Sequence, residues 1–197
     1  QFDEHPEWFA ERGGKRIPPT GRYKLCVTDR GLIEEFARQA IAHFDAHPEY
    51  FSQINGKRVK DHTQLCCTNQ EVVKICTDEM RKHMRADPEA FVFSLSQNDW
   101  MNYCECQTCQ ALAKREGSQM GPVLYLVNRV AEALEKEFPD KAIETLAYQY
   151  TRKPPRTMRP RPNVIIRLCS IECCFMHPLA TCGQDANRTF VRDLEGW

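Results

Sequence analysis

Apolar residues recur at helical spacing in two early stretches of the chain. Leu32, Ile33, Phe36, Ala40 and Phe44 share one face over about 30–45, and Val72, Val73, Cys76, Met80 and Met84 share one over about 70–85. Thr28 or Asp29 and Thr68 or Asn69 supply the N-caps such helices need. From residue 90 the pattern changes. The short aromatic-rich run Ala90 to Ser96 predicts a buried strand of the parallel kind. A polar loop from Gln97 to Thr108 follows. Next comes a helix over about 118–137, with Val123, Leu126, Val127, Val130, Ala131 and Leu134 on one face and Phe138-Pro139-Asp140 as its stop. Two more strands are predicted over 143–148 and 164–169, joined by a connection bearing Pro154, Pro155, Pro160 and Pro162, and a last helix over about 186–195. This rhythm is that of a parallel α/β domain.

The early stretches belong to a duplication. His5-Pro6-Glu7-Trp8-Phe9 recurs as His47-Pro48-Glu49-Tyr50-Phe51, Gly14-Lys15-Arg16 as Gly56-Lys57-Arg58, and Leu25-Cys26-Val27-Thr28-Asp29 as Leu65-Cys66-Cys67-Thr68-Asn69. Two full copies are too few for a solenoid. The organisation expected is a duplicated unit over 1–46 and a β/α domain over 47–197.

Charge removes several classes of function. The chain has 27 basic and 27 acidic residues, so neither a phosphate-backbone binder nor a polybasic membrane patch is expected. No run approaches the roughly 18 apolar residues of a membrane-spanning helix, and the first residues lack the basic and apolar regions of a signal peptide. Because the chain starts at Gln1 and stops at Trp197, a processed or excerpted piece of a longer protein is expected. Its 197 residues hold one domain with a core but fall short of a whole (β/α)8 barrel, which takes about 250. The motifs GxGxxG, the P-loop, Gly-x-Ser-x-Gly and His-Glu-x-x-His do not occur, which leaves nucleotide-dependent and serine-hydrolase chemistry without support.

Parallel sheets place chemistry at the carboxyl ends of their strands. Asn98 and Asp99 follow the first predicted strand and Glu172 the third, so Asp99 and Glu172 offer a carboxylate pair for glycoside hydrolysis. Asp99 equally suits a turn cap, and Glu172 a solvated loop. Tyr148, Tyr150 and Arg152 alternate after the second strand, where tyrosine rings can stack on sugars and a guanidinium can grip a carboxylate. Arg58, His62, Arg167 and His177 are weaker candidates for binding.

Eleven cysteines are the strongest departure from ordinary composition. Cys104, Cys106 and Cys109 are spaced as zinc ligands in a loop, with a fourth ligand expected from Cys173, Cys174, Cys182 or His177. In an oxidising compartment the same residues would form disulfides. Either way the role is structural, because a catalytic thiol needs a positioned base. Cys26, Cys66, Cys67 and Cys76 read as ordinary core residues.

Several motifs together resemble one family. They are Ser94 to Asp99, Tyr103 to Cys109, Val127 to Glu132, Leu146 to Pro155 and Pro162 to Cys169, preceded by the His-Pro-Glu-Tyr-Phe, Gly-Lys-Arg and Gln-Leu-Cys elements of 47–66. In this order they resemble the bacterial domain-of-unknown-function family numbered 4838, over roughly 47–197. The resemblance implies a partial TIM-barrel domain of the glycoside-hydrolase type, distantly similar to family 67 α-glucuronidases. It implies a carbohydrate substrate and export to the periplasm or the extracellular space; no cofactor is expected beyond the structural zinc that the cysteine spacing allows. The alternative on the same scaffold is a non-catalytic carbohydrate-binding domain, and a third reading is a zinc-organised interaction module. The copy at 5–46 is an extra unit relative to the pattern.

Overall fold

The computed structural model describes residues 3–9, 11–12, 14–16 and 30–197. The chain divides into two compact units, Gln1–Pro48 and Glu49–Trp197. The expected Leu25 to Asp29 segment, with Cys26 and the Thr28 and Asp29 caps, lies outside the described residues.

The first unit carries a 3-10 turn at Pro6–Trp8, a hairpin of β1 (Glu11–Arg12) and β2 (Lys15–Arg16), and the helix α1 (Arg30–Ala46). The same design recurs from Pro48 onward: a 3-10 turn at Pro48–Tyr50, then β3 (Gln53–Ile54) and β4 (Lys57–Arg58), then α2 (Gln70–Ala86). Pairing is equivalent in the two hairpins, Glu11 with Arg16 and Gln53 with Arg58. In each copy the arginine reaches back to the same carbonyl: Arg16 donates to Phe9 at 2.7 Å and Arg58 to Phe51 at 2.6 Å. The repeated residues thus fold into a repeated object. Between β3 and β4 both turn residues, Asn55 and Gly56, have positive φ (49° and 79°), the two-residue hairpin geometry that favours Asn-Gly.

Asn69 starts α2, its Oδ1 accepting from the amides of Glu71 (2.8 Å) and Val72 (3.3 Å). Replacing Asn69 with alanine strands these donors and should cost about 1 kcal/mol, read as a lower urea midpoint with an unchanged slope. The buried face of α2 is Val72, Val73, Thr77, Met80 and Met84.

Beyond α2 come β5 (Val92–Ser94), α3 (Gln107–Glu116), α4 (Met120–Leu134), β6 (Ala142–Ala147), β7 (Val164–Leu168) and α5 (Asp185–Gly196). The three strands form a parallel sheet in the order β5-β6-β7. The predicted 118–137 helix is shorter than expected, and α3 precedes it in a stretch given no element. Its sequence, Gln107 to Glu116, has few apolar residues and so a weak periodic signal. It stops at Gly117, whose φ of 65° suits a residue without Cβ. No α-helix joins β6 to β7 among the described residues: a 3-10 turn at Gln149–Thr151 and the proline-rich segment cross instead.

One face of the sheet is covered by α4, the most buried element. Met120, Leu124, Val127, Val130 and Leu134 are at most 1% exposed and pack with Met80, Met84, Ile143 and Val164, each such side chain contributing about 1.5–3 kcal/mol of burial. The opposite face carries Val92 and Ile165, each 42% exposed, and Arg167, which donates to Glu144 at 2.6 Å. The expectation of a buried first strand is therefore corrected. β5 is an edge strand with one face open, because among the described residues only one side of the sheet has a helix on it. Among the described residues the sheet is open, not a closed barrel.

Candidate functional site

A cleft of about 400 Å³ opens at the carboxyl ends of the sheet. Its floor is the α4 row of Pro122, Val123, Leu126 and Val127, its sides are the segments following β5 and β6, and its roof is the chain around Phe51 and His62–Leu65. The roof is laced to the loop after β5. Asn98 donates from its side chain to the Thr63 carbonyl (2.7 Å), Asn102 to the His62 carbonyl (2.8 Å), and Gln64 to the carbonyls of Asn98 (2.9 Å) and Trp100. His62 is held at a positive φ of 52°, with its ring edge-on to Trp100 at 4.3 Å. Gln149, also at positive φ (50°), turns the chain after β6 so that Tyr150 lies beside Tyr103, ring centroids 5.2 Å apart. Non-glycine residues in this region cost of order 1–3 kcal/mol and collect at functional sites. Burial pushes the Tyr150 phenol up, with the Cys67 and Tyr103 groups adding to it.

Gln97 is the polar feature of this cleft. Its Nε2 donates to the Thr151 hydroxyl at 2.7 Å, and that hydroxyl donates onward to the Tyr148 carbonyl at 2.8 Å. The amide orientation follows from this chain. It leaves Gln97 Oε1 buried without a partner among the described residues.

The predicted site residues separate. Asn98 and Tyr150 line the cleft, and Asp99 and Glu172 do not. Asp99 is exposed at the rim, between Asn98 and Trp100. Glu172 accepts from Arg152 at 3.0 Å, and the same guanidinium donates to Asp193 at 2.7 Å. Arg152 is thus part of an ion-paired strap onto α5. The Tyr148 hydroxyl accepts from Gln149 at 2.9 Å, Arg167 lies on the open sheet face, and His177 sits 3.2 Å from the Cys174 sulfur. The aromatic and amide wall at Gln97 and Trp100 adjoins the predicted strand end, and His62, a weaker binding candidate in the sequence, lines the roof, but the share of Phe51 and Gln64 had no signal in the sequence.

Next to the cleft, and sharing Cys104 and Cys109 with its wall, lies a cluster of four buried cysteines: Cys66, Cys104, Cys106 and Cys109. Their sulfurs all lie within 4.8 Å of one another, Cys66 and Cys106 at 3.7 Å. Cys66 is anchored by its amide to the Tyr50 carbonyl at 2.8 Å. Cys106 caps α3, and Cys109 sits in its first turn. The thiols of Cys104 and Cys109, then Arg58, hold the Cys66 sulfur well below the usual thiol range, and Cys109 is pushed up by Cys104 and Cys66. Two expectations are corrected here. Cys66 is a member of the cluster rather than a core filler, because the hairpin after Pro48 carries it across to the 104–109 loop. Cys174, His177 and Cys182 form a separate group of their own, because Asn187 on α5 pins the Cys174 backbone, accepting from its amide at 2.7 Å and donating to its carbonyl at 3.2 Å.

The fold and the cleft define an α/β domain with a parallel sheet, a strand-end pocket and a thiol cluster at the pocket wall. The chain belongs to the family described as Domain of unknown function (DUF4838), which matches residues 34–197. Neither the curated proteins nor the solved structures hold a significant match to it. No helix among the described residues is long and apolar enough to cross a membrane.

Proposed function

We propose that the Glu49–Trp197 unit is part of a glycoside-hydrolase-type barrel and binds a carbohydrate in the strand-end cleft. The observation that carries this reading is a cleft of about 400 Å³ walled by Trp100, Tyr103 and Tyr150, with Gln64, Gln97 and Asn98 in its lining. Aromatic faces suit the apolar side of a sugar ring, and amide side chains beside them suit its hydroxyls, which both donate and accept. The parallel sheet supports the barrel: one face is covered by α4, and the other exposes Val92 and Ile165, the side that closure of a barrel would bury.

Binding ranks above hydrolysis because, among the described residues, no carboxylate lines the cleft. Hydrolysis is the second reading, favoured by Asp99, which has no partner among the described residues and stands at the rim beside Trp100. In that reading Asp99 is the acid or base, and Glu172 serves with it only if released by Arg152.

Calorimetric titration with neutral and uronic-acid oligosaccharides tests the proposal. Trp100 is 47% exposed, so Trp100→Ala should fold normally and weaken binding about tenfold, the worth of one stacked ring with its burial. Failure of the folded wild-type chain to bind any of the oligosaccharides sinks the binding reading. Asp99→Asn, assayed for release of reducing ends, separates the two: turnover by the wild type that Asp99→Asn abolishes would promote hydrolysis.

A further inference from the structure

The four-cysteine cluster carries an inference that is independent of the carbohydrate proposal. Four thiolates around a tetrahedral zinc, with Zn–S about 2.3 Å, stand about 3.8 Å apart along each edge. Cys66 and Cys106 are 3.7 Å apart, and all four sulfurs fall within 4.8 Å. Disulfides would instead pair them two by two at about 2.05 Å, with no reason for the two pairs to share a centre. The set is closed, all four residues being at most 9% exposed, as structural rather than catalytic zinc sites are.

The surroundings are those of bound thiolate. The Gln53 amide donates to the Cys104 sulfur at 3.3 Å, Arg58 approaches the same sulfur at 3.7 Å, and the Thr68 hydroxyl lies 3.2 Å from the Cys109 sulfur. The N-terminus of α3, a helix of 10 residues, begins at the cluster. Together these offset the double negative charge of a tetrathiolate zinc.

We infer that Cys66, Cys104, Cys106 and Cys109 bind one structural zinc ion, which clips the segment at the base of the β3-β4 hairpin, where the Cys66 amide donates to the Tyr50 carbonyl, to the loop and helix that follow β5. The hairpin needs such a clip. Its strands have two residues each, and an isolated hairpin is marginal in water. What otherwise holds it there is a few hydrogen bonds, among them Glu105 amide to Gln53 carbonyl at 2.7 Å and Asn55 amide to the Glu105 carboxylate at 2.8 Å. Because Cys104 and Cys109 also line the cleft, the metal would fix one of its walls.

The test uses the full chain, purified without a metal-affinity tag, with elemental analysis beside intact mass under denaturing conditions. The result expected is about one equivalent of zinc held by this site, with its thiols reduced. Exchange with cobalt should give the intense thiolate bands of tetrahedral Co(II). Cys66→Ser and Cys106→Ser should each lose one equivalent and those bands, whereas Cys174→Ser combined with Cys182→Ser should keep the bands. If a cluster variant is insoluble, the cobalt spectrum of the wild type decides alone. Iron in place of zinc, a mass lowered by the hydrogens of disulfides among these four residues, or a wild type lacking zinc and cobalt bands overturns the inference. So do bands that survive Cys66→Ser and vanish with Cys174 and Cys182.

Discussion

Glu116→Ala should lower the stability of the chain by about 3–5 kcal/mol, a large loss for one side chain at a helix end. Glu116 is 1% exposed. Its Oε2 accepts from the amides of Thr157 and Met158, both at 2.9 Å, and its Oε1 from the Thr157 hydroxyl at 2.9 Å and Arg115 at 3.1 Å. The Glu116 carbonyl also accepts from the Arg156 amide at 2.8 Å. One carboxylate thus anchors the proline-rich crossover that replaces a helix between β6 and β7. Alanine leaves buried N–H donors without acceptors. Glutamine keeps the shape but turns an NH2 toward donors, and should cost nearly as much.

The same residue gives the protein an acid limb. Burial alone would raise its pKa, but the Met158 and Thr157 amides, the Thr157 hydroxyl and Arg115 outweigh burial and hold the carboxyl at about 2. An unfolded glutamate titrates near roughly 4.3. The folded state therefore binds fewer protons between these values. Its stabilisation is complete above about pH 4.3 and drains away as pH falls toward 2. Urea melts from pH 6 down to pH 2.5 should show this slope in the wild type and a shallower one in Glu116→Gln. Parallel slopes would remove Glu116 from the account.

Arg152→Ala should cost about 2–4 kcal/mol, lowering the thermal midpoint by on the order of 10 °C for a unit of this size. The guanidinium is 14% exposed, and its partner Asp193 on α5 is 12% exposed at the side chain. Removing the cation leaves Asp193 half-desolvated and unpaired, which is the expensive way to break an ion pair. Glu172, 40% exposed at the side chain, can turn to water and contributes less. Arg152→Met together with Asp193→Leu removes both charges and should recover part of the loss. A calorimetric melt reads the result. An unchanged midpoint with weaker sugar binding would return Arg152 to the substrate contacts that its place after β6 suggested.

Arg152 shows where reading by position stops. Its location at a strand end was legible, because a strand end follows from a short apolar run and its flanking residues. That it would pair with Asp193 as well as Glu172 was decided by α5 packing back onto the crossover. Asn98 behaves the same way. Its position was correct, and it does line the cleft, but its amide is spent on the Thr63 carbonyl and on the Trp100 amide at 3.0 Å.

By itself the sequence determined what depends on local spacing. The helices α1, α2, α4 and α5, the three parallel strands, a cap at Thr68 or Asn69 and the twofold repeat all express periodicities or capping chemistry within one segment, where neighbours in sequence are neighbours in space. The helix α3 escaped because its few apolar residues give little period. Only tertiary structure decided what depends on contact between distant segments: the roof of the cleft at His62 and Gln64, the open face of the sheet, and the division of the cysteines into two groups. Cys66 joins Cys104 across 38 positions because the hairpin folds back beneath the loop after β5. Sequence spacing carries no record of that return. It is settled by the hydrogen bonds and burial that make the two segments adjacent.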